Sequence, residues 1–127
     1  FILFILFILF ILFILLIFIM IEQEEIIKNC KQYIKDNNLE DLKLYYNNLQ
    51  ELNINTGTYQ YIYQKIFLYA CIIGAEDILM WIVKLYEEFD QISKIALRQL
   101  FIYGKYLLKK NKHSFSWFDE FLSKVRQ

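Results

Sequence analysis

Hydrophobic and polar positions divide this chain at Glu22. Residues Phe1 to Leu15 are five unbroken Phe-Ile-Leu triplets, and Leu16 to Ile21 continue without a polar side chain. From Glu22 onward the period becomes helical. Ile26, Ile27, Cys30, Tyr33 and Ile34 recur at three- and four-residue steps, with Lys28, Lys31 and Lys35 between them. Asn37-Asn38 predicts a stop. Asn38 is suited to cap a second helix that carries Glu40 and Asp41 in its positive first turn. Leu39, Leu42, Tyr45, Tyr46 and Leu49 give that helix an apolar stripe.

Leu52 to Thr58 contains Asn-Ile-Asn-Thr-Gly-Thr, which is turn chemistry. A third helix is predicted over Tyr59 to Ile73. Tyr59, Tyr61 and Tyr63 alternate as a strand would, but Ile62, Ile66, Tyr69, Ala70 and Ile73 keep the helical period. Gly74 suits the left-handed position that ends such a helix. Glu76 and Asp77 open a fourth, through Ile78, Trp81, Ile82 and Leu85. Gln91 to Lys110 reads as a fifth, with Lys109, Lys110 and Lys112 against its negative end. Ser116 with Asp119 has the spacing of a capping box, ahead of a last helix carrying Trp117, Phe118, Phe121 and Leu122. The expectation is an all-α protein: one apolar helix over residues 1–21, then a domain over 22–127 with three stacked antiparallel helix pairs.

The N-terminal tract has two readings. A helix of 21 apolar residues is about 31 Å long, close to the roughly 30 Å hydrocarbon core of a bilayer, which makes it a transmembrane anchor. It is too long for an ordinary cleaved signal peptide and lacks the basic leading region. In water it is an aggregation hazard, with no charge to interrupt it. Against this, an exact triplet repeat is what a tandem DNA repeat encodes in an AT-rich genome, and the first methionine is Met20. On that second reading the tract is translated upstream sequence and the native protein starts at Met20. As an anchor, it would leave the helical domain in the cytoplasm, because Lys28, Lys31 and Lys35 lie within the span where the positive-inside rule counts. Without it, the domain is expected to be soluble and cytoplasmic.

Composition narrows the functions. Acidic and basic side chains balance, so there is no basic field to hold nucleic acid. Cys30 and Cys71 are far apart and His113 is alone, so no zinc site of four protein ligands is apparent, and the pattern points to two free, buried thiols. His113 sits in a lysine-rich loop with no nucleophile at a suggestive spacing and reads as a solvated loop histidine. Glu22, Glu24 and Glu25 suit a helix start, and Glu87, Glu88 and Asp90 a solvated rim. Gly57, Gly74 and Gly104 are isolated, so there is no phosphate loop. The tyrosines at the start of the third helix suit a binding face or, more simply, partial burial against the preceding helix pair. No catalytic residue, metal ligand or cofactor is expected.

Internal similarity exists. Placing Asp41 on Asp77, an offset of 36, also aligns Tyr33 with Tyr69, Leu42 with Ile78, Tyr45 with Trp81 and Leu49 with Leu85. Placing Gly74 on Gly104, an offset of 30, aligns Phe67 with Leu97, Ile72 with Ile102 and Ile78 with Leu108. The two offsets average 33, which is the ankyrin period. The run from Ala70 to Ile82 resembles the central ankyrin pattern A-A-x-x-G-x-x-x-I-V-x-x-L-L. Its A-C-x-x-G-x-x-x-I-x-x-W form is similar to the degenerate ankyrin repeats of large DNA viruses of amoebae. The segment Lys65-Ile66-Phe67-Leu68 replaces the T-P-L-H signature, the first unit has Asn38 in place of the turn glycine, and the third has Leu100 and Phe101 at the small pair. The resemblance implies an α-solenoid and a non-enzymatic protein-interaction module. The alternative is a single-pass membrane-anchored structural protein with a helical cytoplasmic domain.

Overall fold

The computed structural model describes residues 1–51 and 56–125. Six helices account for nearly all of them, and no strand occurs among the described residues. They are α1 (Ile2–Lys35), α2 (Leu39–Gln50), α3 (Thr56–Ile73), α4 (Glu76–Lys84), α5 (Gln91–Lys110) and α6 (Ser116–Val125), with a 3-10 turn over Leu85–Glu88 after α4.

The apolar tract is not a separate element. It and the amphipathic segment after Glu22 form one helix of 34 residues. Between Ile21 and Ile26 lie only Glu22, Gln23, Glu24 and Glu25, all good helix formers, and nothing there can break the backbone ladder. The third helix also begins earlier than expected. Thr56, Gly57 and Thr58 already belong to α3, whereas Leu52 to Asn55 lie outside the described residues.

Three left-handed residues mark the helix ends. Asn37 has φ 55°, Gly74 has φ 77° and Lys112 has φ 61°, so successive junctions are 37 and 38 residues apart. At the end of α1, Asn37 and Asn38 donate backbone N–H groups to the carbonyls of Ile34 and Tyr33 at 3.1 and 2.9 Å. At the end of α5, Lys112 and His113 do the same to Lys109 and Leu108 at 3.1 and 2.9 Å. Both are Schellman closures, which satisfy carbonyls that the helix leaves open. The expected turn residue at Asn38 is therefore Asn37, and Asn38 is instead the N-cap of α2, its side chain accepting from the Asp41 N–H at 3.2 Å. Only Asn, Gly and Lys hold these positions, and Asn and Gly tolerate positive φ best.

Gly104 departs from the expected alignment with Gly74. It lies inside α5, which runs on to Lys110, and its φ is not positive. Its use is close approach: a Cβ there would collide with the Phe67 ring and come within 3.1 Å of Cys71 Sγ. The small residue that lets α5 meet α3 is thus Gly104, rather than a pair at Leu100 and Phe101.

In the packing, α3 lies between α1 and α5, and each of α2, α4 and α6 rests on the helix that precedes it. Ile26, Ile27, Cys30 and Ile34 of α1 join Ile62, Ile66, Phe67, Ala70 and Cys71 of α3 in one continuous core. Edge-to-face aromatic pairs tie the layers together. Tyr46 of α2 meets Tyr59 of α3 at 5.5 Å and Trp81 of α4 at 5.6 Å. Phe67 of α3 meets Phe101 of α5 at 5.1 Å, and Phe101 meets Phe121 of α6 at 5.5 Å. Each such geometry adds about 0.5–1.5 kcal/mol beyond the area it buries. Tyr63 is fully buried, and its hydroxyl donates to the Ile82 carbonyl at 2.7 Å, so a buried polar group is satisfied while α3 is joined to α4.

Candidate functional site

The chemistry-bearing residues are dispersed. No group of three His, Cys, Asp or Glu side chains that could hold a metal occurs among the described residues. Cys30 and Cys71 are free and fully buried, and burial pushes both thiols up to about 12. A thiol so far from ionising is a packing group and a poor nucleophile.

His113 is not the solvated loop histidine its neighbours suggest. Its side chain folds back onto the end of α3, with Nε2 2.9 Å from the Ile72 carbonyl oxygen. A carbonyl can only accept, so Nε2 carries the proton and donates. The ring covers Gly74, where any added Cβ would strike it. His113 thus caps an open carbonyl of α3 and fills the space beside a left-handed glycine. Nothing in the local sequence could have announced this, because its partners are some 40 residues away.

The acidic residues also acquire particular roles. Asp90 is the N-cap of α5, accepting from the Ser93 N–H at 2.7 Å, and that bond holds its carboxyl below the usual carboxylate range. The signal was legible as Asp followed three residues later by Ser at the head of an apolar-periodic run. Glu87 pairs with Lys94 at 3.7 Å. Asp119 does not complete a capping box: Ser116 is already helical, the Asp119 N–H bonds the Phe115 carbonyl at 2.8 Å, and the carboxylate pairs with Lys105 of α5.

Two surfaces bear on the sequence expectations. One is the tract, every residue of which from Phe1 to Ile21 is exposed. Its Phe, Ile and Leu positions point in all directions, because a three-residue repeat precesses around a helix of 3.6 residues per turn. It has no polar face to turn to water and no narrow seam for a coiled coil. The segment is long and apolar enough to cross a membrane, and none of it is buried among the described residues.

The other is a shallow groove between α1 and α3. Lys28, Lys31 and Lys35 line it from α1, with Glu24 and Gln32, and Tyr69 faces them from α3. Lys31 sits 5.4 Å from the centre of the Tyr69 ring, and Lys65 sits 5.5 Å from that of Tyr61. The Tyr61 hydroxyl donates to Glu24 at 3.0 Å, which raises its pKa, and Gln23 donates to Thr58 at 3.0 Å. The tyrosines at the head of α3 thus serve mainly to bind α3 to its neighbours. No family model, curated protein or solved structure matches this chain significantly.

Proposed function

We propose that this protein is a non-enzymatic interaction module in which helix pairs stack as an ankyrin-like α-solenoid and present the α1–α3 groove to an acidic segment of a protein partner. The observation that carries the reading is the lysine row at Lys28, Lys31 and Lys35, backed by the Tyr69 ring on α3. An extended acidic segment would meet several ammonium groups along about 10 Å of helix, with aromatic surface beneath it. Solvent-exposed lysines are poor stability elements, so little is lost by dedicating them to a partner.

The departures from the ankyrin pattern bound the analogy. The junctions recur at 37 and 38 residues, longer than the 33-residue ankyrin period. The link from α4 to α5 is a 3-10 turn followed by Phe89 and Asp90. The test is a peptide-display screen against the purified chain, repeated with Lys28→Glu, Lys31→Glu and Lys35→Glu combined. Acidic sequences that bind the parent and are lost by the variant support the reading. Equal retention by both overturns it.

A second reading has its own observation. The fully exposed tract favours a single-pass anchor, with the helical domain on the cytoplasmic side. Because α1 is continuous, only four residues separate Ile21 from the first buried side chain, Ile26. The domain would then stand on a rigid stalk of about 6 Å, with its Glu22–Glu25 end at the headgroups. Carbonate-resistant membrane retention that disappears when residues 1–19 are removed would support it. Quantitative release of the full chain by carbonate would exclude it.

A further inference from the structure

The two ends of the helix row differ in chemistry. On α1, beyond the tract, the bare side is polar: Glu22, Glu25, Lys28, Gln32 and Lys35 are all exposed. On α5 the bare side is apolar. Ile92 is 83% exposed, Ile95 60%, Ile102 39%, Tyr103 51% and Tyr106 53%, with Gln99 the one polar residue among them. On a wheel of 100° per residue, these six lie within a sector of about 100°, which exposed Lys110 closes at its C-terminal end, opposite the buried stripe of Leu97, Phe101, Gly104 and Leu108. A stripe of that width is what a helix normally buries.

From this we infer that α5 docks, antiparallel and about a two-fold axis, against α5 of a second copy of this chain. Three observations select that occupant. Head-to-tail stacking of α5 on α1 of another copy is disfavoured, since the bare side of α1 is charged and would leave those charges desolvated. The stripe is centred on Gln99, so a two-fold axis there sets Ile92 against Tyr106 and Ile95 against Tyr103 of the copy, apolar on apolar throughout, with the two Gln99 amides able to bond each other. The helix is also electrically polar along its length. Exposed Glu88 and Asp90 stand at its N-terminal end and exposed Lys109 and Lys110 at its C-terminal end. Antiparallel pairing brings acid to base at both ends and opposes the helix dipoles, whereas parallel pairing sets like against like. The contact is independent of the lysine groove on α1 and α3.

Cysteine cross-linking of the full chain, kept in non-ionic detergent micelles, decides the matter. The native thiols are buried and stay out of the reaction. Under mild oxidation Gln99→Cys is expected to form a chain-to-chain disulfide. Ile92→Cys alone is not, while Ile92→Cys combined with Tyr106→Cys is. Density-matched sedimentation should give twice 15.6 kDa for the parent chain and 15.6 kDa once Ile95→Asp and Ile102→Asp are introduced. Cross-linking that is equal at every position, or that survives the double aspartate variant, would mean association through the tract and would overturn the proposal. A monomer in which Gln99→Cys never pairs would also overturn it, leaving the stripe to a different chain. The cross-link pattern stands even if the aspartate variant fails to fold.

Discussion

The first twenty residues of α1 and its last ten share one uninterrupted backbone ladder, yet they belong to different physical regimes. Between Ile2 and Ile21 the side chains are as apolar as any core and none is buried. Between Ile26 and Ile34 only a third of the positions are strongly apolar, but Ile26, Ile27, Cys30 and Ile34 are almost completely removed from water. The difference lies in arrangement and not in hydrophobicity. A helix buries its apolar groups in a domain when they share one face and the opposite face can stay wet. A helix that is apolar all round has no wet face and needs apolar surroundings on every side, as a bilayer or the core of a larger protein provides.

That contrast can be broken or sharpened by mutation. The largest effect is expected at the centre of the packed region: Phe67→Ala removes a fully buried ring that meets both Phe101 and Phe118, and should cost about 3–5 kcal/mol in a denaturant melt. Within α1 itself, Ile34→Ala should cost about 2–5 kcal/mol, while Ile14→Ala in the tract should change the stability of the helical domain by less than about 0.5 kcal/mol. Similar losses from the two alanines would mean that the tract is part of the core and would erase the distinction.

Smaller effects test the junctions. Gly104→Ala puts a methyl against Phe67 and should cost about 1–3 kcal/mol by overpacking, and Ala70→Leu, at a fully buried site, should fall in the same range. Gly74→Val forces a β-branched residue to φ 77° and onto the His113 ring, for more than about 1 kcal/mol. Cys71→Ala is the mild control for these three melts. If all three match it, neither the α3–α5 approach nor the left-handed turn is as constrained as its geometry indicates.

Two further expectations concern titration. Cys30 and Cys71, with thiols pushed up to about 12, should resist alkylation at pH 8 in the folded protein and react at once in denaturant, followed by mass spectrometry. Rapid labelling without denaturant would contradict their burial. Asp90, whose carboxyl is held low by the Ser93 N–H, binds its proton more weakly folded than unfolded. Its contribution is therefore complete above the ordinary carboxylate range and is lost as acid brings the pH down through the lowered value. Asp90→Ala should lower the melting temperature at pH 7 with a difference that shrinks toward pH 2, and Asp90→Asn, which still caps, should retain most of the stability. A difference independent of pH would remove the carboxylate from the explanation.

Local chemistry made the helices readable. Asn38 as a cap, Gly74 at positive φ, the start of α4, both termini of α5, and the burial of Ile26, Cys30, Ile34, Leu42, Ile66 and Ile78 all follow from short-range period and end preferences. The same rules identified the tract as a helix long enough to span a bilayer, because length and composition suffice for that. What needed the tertiary structure was every relation between distant residues. Gly104 resembled a turn glycine until α3 was placed against it, and its real partner is a ring 37 positions earlier. His113 looked solvated until the return of the chain after α5 brought it to Ile72 and Gly74. The apolar stripe on α5 was hidden because its wheel carries two apolar sectors, and sequence alone does not reveal which one the fold covers. Periodicity reports that a helix has an inside. Which side becomes the inside depends on the neighbours it meets.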